Sequence, residues 1–187
     1  MHKTSIFGAV LFLSFSLIIG CGKKDKDVDE MAAEEAPAAE SMEMETEMAA
    51  MPGADAAEVW KYITETSPYE DWDFWPDYEG FQPGKSPHGA ILQVFVSDDG
   101  IRNIADETKG TMDNGVLIVK ENYMPDTTLA ALTVMYKVEG FNPDNNDWFW
   151  AKYGPDGSVD KAGTPAGCIG CHGAKADNDY LFTGDLK

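Results

Sequence analysis

Basic residues are scarce in this chain: 14 Lys and Arg stand against 33 Asp and Glu, a formal net charge of −19 over 187 residues. Proteins that hold nucleic acid cluster lysine and arginine to neutralise phosphates, and with no such patch here a nucleic-acid partner is excluded. Cysteine is scarce too, with three in all, at 21, 168 and 171. Their positions leave no thiol for a disulfide: Cys21 ends the leader, and Cys168 and Cys171 belong to one C-x-x-C-H motif. Apolar runs are short: the one that begins at Ile6, behind His2-Lys3, ends at Ile19 and falls below the ~20 residues that span a bilayer. Histidine occurs three times, as His2, His88 and His172, which limits the metal and haem ligands available.

Residues 1–20 read as a bacterial secretion signal closing on Leu17-Ile18-Ile19-Gly20. In such a lipobox the next residue, Cys21, is acylated and becomes the new N-terminus. The expectation is a protein tied to a membrane through a lipid anchor and placed in the periplasm or at the cell surface. Gly22, where an aspartate retention signal stands in some Gram-negative lipoproteins, points to the outer membrane if the source is of that kind. Residues 21–54 are mainly Ala, Glu, Asp and Met, interrupted by Pro37 and Pro52. They bury too little apolar surface to offset the entropy of ordering, so they read as an acidic disordered linker. The methionines of this segment suit soft metals, but Met and Ala interspersed with Glu also make a nascent helix.

Residues 55–187 have the size of one domain. Val59, Tyr62 and Ile63 share a helical face in a short helix within 54–64. An aromatic, proline-punctuated stretch then leads to Ser86-Pro87-His88-Gly89. Strands are expected at 91–96, 116–121, 129–138 and 148–153, with a helix capped at Ser97 and ending at Gly110. Consecutive strands with short connections favour an antiparallel sheet, hence an α+β fold, mainly antiparallel β-sheet with a few short helices and a C-terminal haem c attachment motif.

That motif is Cys168-Ile169-Gly170-Cys171-His172. Two thiols at C-x-x-C spacing can each add across a vinyl group of one haem, and the histidine that follows becomes the axial ligand of iron. A C-x-x-C also serves thioredoxin-like redox pairs and zinc sites. The first expects a parallel α/β unit around it; the second needs further ligands, and beyond the motif and the leader only His88 remains, with no further cysteine. The cofactor reading is therefore one covalent haem c per chain. No Met or His follows His172, so a second axial ligand has to come from upstream: His88, Met112, Met124 or Met135. Met135 shares a strand face with Leu129, Ala131 and Thr133, where core packing is the favoured role. His88, in a turn between Pro87 and Gly89, could ligate, although a lone loop histidine is more often hydrogen-bonded or solvated. An open sixth position is the other possibility, and it implies ligand chemistry rather than electron transfer alone.

Several stretches together resemble the cytochrome P-460 family. They are Ser86 to Val96, Gly115-Val116-Leu117-Ile118-Val119-Lys120-Glu121, Val134-Met135-Tyr136-Lys137, Trp148 to Tyr153, the C-x-x-C-H, and Asp177-Asn178-Asp179-Tyr180-Leu181-Phe182. The resemblance implies a β-rich fold, usually a homodimer, with five-coordinate haem held by the C-terminal histidine. Members like cytochrome P-460 proper oxidise hydroxylamine and handle nitric oxide, which would make this chain a haem-dependent hydroxylamine oxidoreductase passing electrons to an acceptor protein. The related cytochromes c′-β bind nitric oxide or carbon monoxide without that chemistry, so the alternative is a non-enzymatic cytochrome that binds such ligands or transfers electrons. Lys120 divides the two, because a lysine at this spacing after a glycine is covalently joined to a haem meso carbon in cytochrome P-460. The resemblance thus gives Lys120 both a cofactor-binding and a catalytic role, beside Cys168, Cys171 and His172. Period-two alternation puts Lys120 on the face of Val116 and Ile118; which face is the core is left open, Leu117 and Val119 being the competing pair. A distal carboxylate relaying protons is also implied, with Asp113 a loop candidate and Glu121 on the opposite strand face.

Overall fold

The computed structural model describes residues 50–106 and 108–186. Residues 1–20, read above as a secretion signal, Cys21 and the rest of the chain before Ala50 lie outside the described residues. From Met51 onward the chain is tied to the domain: Tyr62 donates to the Met51 sulfur (3.3 Å), and Tyr136 donates its hydroxyl to the Pro52 carbonyl (2.8 Å).

Helix α1, Ala56–Lys61, starts where Asp55 turns its carboxylate onto the amides of Ala57 and Glu58, satisfying two donors that a helix start leaves free. It continues as one wider turn over Tyr62–Thr66. Seven strands follow, all antiparallel: β1 (Asp73–Phe74), β2 (Gln82–Pro83), β3 (Ile91–Val96), β4 (Leu117–Tyr123), β5 (Leu129–Lys137), β6 (Trp148–Tyr153) and β7 (Val159–Gly163). The sheet runs β1-β3-β4-β5-β6-β7, with β2 also paired to β3. Helix α2, Asp98–Ala105, links β3 to β4, and helix α3, Ala166–His172, follows β7.

The α+β reading holds, and the four long strands fall, within two residues at either end, where the apolar runs put them. Two details differ. Ser97 is the N-cap residue of α2, its carbonyl accepting from the Ile101 amide (3.0 Å), but its hydroxyl makes no capping bond and accepts from the Leu117 amide instead (3.1 Å). The helix also stops at Ala105 rather than Gly110, since Asp106 turns its carboxylate onto the Thr108 amide and hydroxyl, a local turn that competes with helical bonding. Strand β7 went unread because its side chains are exposed and give no apolar alternation.

Both faces of the sheet are buried. On one, Phe95, Leu117, Val119, Leu132, Val134, Tyr136, Phe149 and Tyr153 pack with Val59, Ile63 and Tyr69 from the N-terminal segment. On the other, Val94, Val96, Ile118, Met135, Trp148 and Trp150 pack with Met112, Tyr180 and Leu181. The question of which β4 face is the core therefore resolves as both, in two different interiors.

Glu121 enters the first interior, 5 % exposed. It accepts from the hydroxyls of Tyr69 (2.9 Å) and Tyr123 (2.7 Å) and from the Gln93 amide (2.8 Å). Burial first, and then Glu121, push Tyr69 up and Tyr123 up to about 12. Between the ordinary phenol value of 10.0 and that raised value, the unfolded chain loses protons that the folded chain keeps, so stability falls as pH rises. Urea midpoints measured from pH 9 upward are expected to decline above about pH 10, and Tyr69→Phe to flatten that decline; an unchanged slope in the variant would remove Tyr69 from the linkage.

Candidate functional site

Helix α3 and strands β4 to β6 enclose a cavity of about 510 Å³, within the roughly 300–1,000 Å³ usual for ligand and cofactor pockets. Cys168, Cys171 and His172 line it from α3, and Lys120 and Asn122 from β4. Alternation does the sorting on β4. Ile118, Lys120 and Asn122 face the cavity, while Leu117, Val119 and Glu121 face the other interior.

Cys168 and Cys171 are both free thiols, three residues apart on one helix face. Cys168 is half-buried and Cys171 exposed. Burial pushes the Cys168 thiol up, against the pull of Lys161 and Lys152. Gly167 and Gly170, poor helix formers, have open space beside them, and the helix is held at its start by the Pro165 carbonyl, which accepts from the amides of Cys168 and Ile169.

His172 is 9 % exposed. Its Nδ1 donates to the Tyr180 carbonyl (2.7 Å), which fixes the tautomer and leaves the lone pair on Nε2. The ring meets Trp150 edge-on at 4.7 Å between centroids and Phe182 at 5.3 Å. Burial lowers its pKa, the Tyr180 hydrogen bond opposes this, and the charge of Lys120 adds to the lowering.

The Tyr180 carbonyl is placed by the tail after α3. Asp179 and Tyr180 both take left-handed backbone conformations, φ 51° and 65°. Asp179, 1 % exposed, is held on all sides. Lys137 donates to both carboxylate oxygens (2.7 and 2.9 Å), Asn146 and the Met112 amide donate one bond each, and the Trp148 indole donates to its carbonyl. The Asp-Asn-Asp-Tyr run is thus the frame that aims His172. Sequence reasoning used it only as a resemblance; its one physical signal was a pair of acidic residues among aromatics near the chain end.

Lys120 stands between Val94 of β3 and Thr133 of β5 in the sheet. Burial lowers its pKa, and among the described residues no carboxylate lines the cavity to oppose this. The distal carboxylate that the resemblance implied has no counterpart here: Glu121 is in the other interior, and Asp113 pairs with Lys109 (2.6 Å) and Asn103 (2.9 Å) away from the wall.

His88 reaches the cavity from the loop between β2 and β3, and its Nδ1 bonds the Asn122 side-chain oxygen (3.0 Å). Burial foremost, then the charge of Lys120, push the imidazole down to about 4, with the Asn122 bond opposing. Of the other upstream ligand candidates, Met135 and Met124 line the cavity, the latter at its exposed rim. Met112 is packed in the core and does not line it.

Comparison with protein families matches residues 66–183 to Cytochrome P460. The chain belongs to the cytochrome P460 family. The matched span includes Lys120, Cys168, Cys171 and His172. Comparison with curated proteins finds no match. Membership in the cytochrome P460 family implies a haem cofactor, covalently bound. The residues present fit that group. Two free thiols share one helix face, an imidazole offers an unbonded Nε2, and the cavity wall holds Trp150, whose indole Nε1 is the one buried side-chain polar atom without a partner among the described residues. The competing readings of C-x-x-C fare worse. The sheet is antiparallel around the motif, unlike a thioredoxin unit, and among the described residues no group of three or more His, Cys, Asp or Glu could hold a metal ion.

Proposed function

We propose that this cytochrome P460 family member carries one haem c, attached through Cys168 and Cys171 with His172 as axial ligand, and acts on small nitrogen species. Hydroxylamine oxidation and nitric oxide handling are the activities in view. The observation that carries the reading is that one cavity faces the two thiols and His172 on α3 toward Lys120 on β4. When bound, the haem supplies an iron centre that takes small nitrogen ligands and exchanges electrons with a donor or acceptor protein.

The chain's own residues do the rest. His172 is held in one direction, its Nδ1 proton committed to the Tyr180 carbonyl. Lys120 is driven toward the free amine by burial, the nucleophilic form that a bond to the haem edge requires. Ile118, Met135 and Leu181 make the wall apolar, which excludes water and strengthens the electrostatic effect of every charge inside. The lipid anchor at Cys21 would hold this domain in the periplasm or at the cell surface, where haem c attachment takes place, and a homodimer belongs to the same reading.

The ferrous spectrum and the mass of the purified chain test it. The expected result is one haem per chain, a strongly red-shifted Soret band, and haem retained on the Lys120 peptide after cleavage. Lys120→Ala should return an ordinary haem c spectrum and lose hydroxylamine-dependent reduction of an electron acceptor by at least tenfold, about 1.4 kcal/mol in barrier. A wild-type protein with an ordinary spectrum and no turnover would leave the second reading: a cytochrome that binds nitric oxide or carbon monoxide, or transfers electrons, without chemistry. One observation favours that second reading, the absence of a carboxylate from the cavity wall among the described residues, because proton removal from hydroxylamine then lacks its expected acceptor.

A further inference from the structure

The two imidazoles among the described residues both line the cavity. Their ring centroids are 6.2 Å apart and their planes lie at 85°. Each ring has its Nδ1 engaged, His172 with the Tyr180 carbonyl and His88 with the Asn122 side-chain oxygen. Neither Nε2 has a protein partner among the described residues, yet neither is a buried unsatisfied atom, so both open onto the cavity.

We infer that His88, through Nε2, is the second axial ligand of the haem iron, so that the resting site of this chain, in place of the five-coordinate haem the resemblance implied, is closed by two histidines and a small ligand has to displace His88. The inference rests on His172 being the first ligand, as proposed above. Two metal–imidazole bonds of about 2 Å each, together with the two ring radii, span roughly 6 Å, which is the separation seen. A histidine that only hydrogen-bonded a ligand on iron would stand farther off by the thickness of that ligand.

The loop that carries His88 is built to hold it. The Gly84 amide donates to the Ala90 carbonyl (2.8 Å) and the His88 amide to the Lys85 carbonyl (2.9 Å). Gly89 lies directly on β4, where a Cβ would collide with the Tyr123 backbone. Asn122 in turn donates to the carbonyls of Lys120 and Ala131 (3.0 Å each), which points its oxygen at His88. This is the arrangement by which an outer partner fixes the tautomer and aim of a ligating histidine. Of the other candidates, Met124 is at the exposed rim and Met112 outside the cavity, while Met135 lines the wall as part of the core cluster that holds Trp150.

The test uses the full-length haem protein in the ferric state, by electron paramagnetic resonance and visible absorption. The wild type is expected to be low-spin, with the strongly anisotropic signal of two crossed imidazole planes. His88→Ala should become high-spin, bind cyanide at least tenfold faster, and return to low-spin on addition of imidazole. Asn122→Leu, which leaves His88 in place but unaimed, should give a mixture of the two spin states. A high-spin wild type overturns the inference, as does a low-spin signal that survives in His88→Ala but is lost in Lys120→Ala or Met135→Ala. If His88→Ala does not fold, the wild-type spectrum with His88→Met decides: a signal unchanged by the methionine removes His88 from the iron. Failure of the wider reading looks different, because a chain with no haem mass after purification defeats the haem c assignment itself.

Discussion

Asp179→Ala is expected to cost this domain about 3–5 kcal/mol, the usual result of removing one partner from a buried ion pair. Lys137 and Asp179 are 6 % and 1 % exposed, and the lysine would be left buried with no carboxylate beside it. The Met112 amide, Asn146 and the Trp148 indole also lose an acceptor at the same carboxylate. Unpaired buried donors add to the cost of the unpaired charge. The double variant Lys137→Met with Asp179→Leu should lose less than Asp179→Ala alone, since it removes the charge as well as its partner. Urea unfolding of the three proteins measures this, and a single-variant loss below about 1 kcal/mol would show the pair to be hydrated in solution. The consequence reaches the site, because Asp179 holds the turn from which the Tyr180 carbonyl receives His172 Nδ1. Surviving Asp179→Ala protein should therefore show a shifted reduction potential, as the imidazole loses its fixed hydrogen bond.

Removing both thiols has the second large effect. Cys168→Ala with Cys171→Ala should abolish haem that survives denaturation, apart from any held by Lys120, while each single variant keeps one thioether. Haem staining of a denaturing gel reads this directly. The β-sheet should persist in the double variant, because one of its two interiors is made from strands and the N-terminal segment and includes no residue of α3. Far-ultraviolet circular dichroism close to the wild type, together with loss of covalent haem, is the expected pair of results. Haem still bound at wild-type level with Lys120 also replaced would remove both cysteines from the attachment.

How much of this was legible in the residues depended on where the signal was local. The long strands are near-continuous apolar runs of six to nine residues, which is what a strand buried on both faces shows, and the haem motif is five residues whose spacing carries its own chemistry. Strand β7 and the dipeptide strands β1 and β2 were illegible because pairing with neighbours, rather than any pattern of their own, makes them strands. Ser97 holds the cap position without a side-chain capping bond for a related reason. A cap residue offers one hydroxyl, and the Leu117 amide, 20 residues away in sequence, took it. Lys120 shows the limit most clearly. Alternation placed it opposite Leu117 and Val119, but in a one-sided sheet that would make one set solvated. Here helices and tail cover both faces, so the same pattern puts both sets inside. The partners that aim the two histidines, Asn122 and the Tyr180 carbonyl, are long-range or main-chain contacts that no short motif announces.

Strand β4 separates two interiors of opposite chemical character, one lined by the basic Lys120 and the other holding the carboxyl group of Glu121. Adjacent residues therefore belong to different compartments, and slipping the strand by a single position exchanges them. One inserted or deleted residue between Gly115 and Lys120 would carry Glu121 into the pocket and bury the lysine among the phenols of Tyr69 and Tyr123. The spacing from glycine to lysine is in this sense a frame rather than a distance, and length changes there should be far less tolerated than changes of side chain.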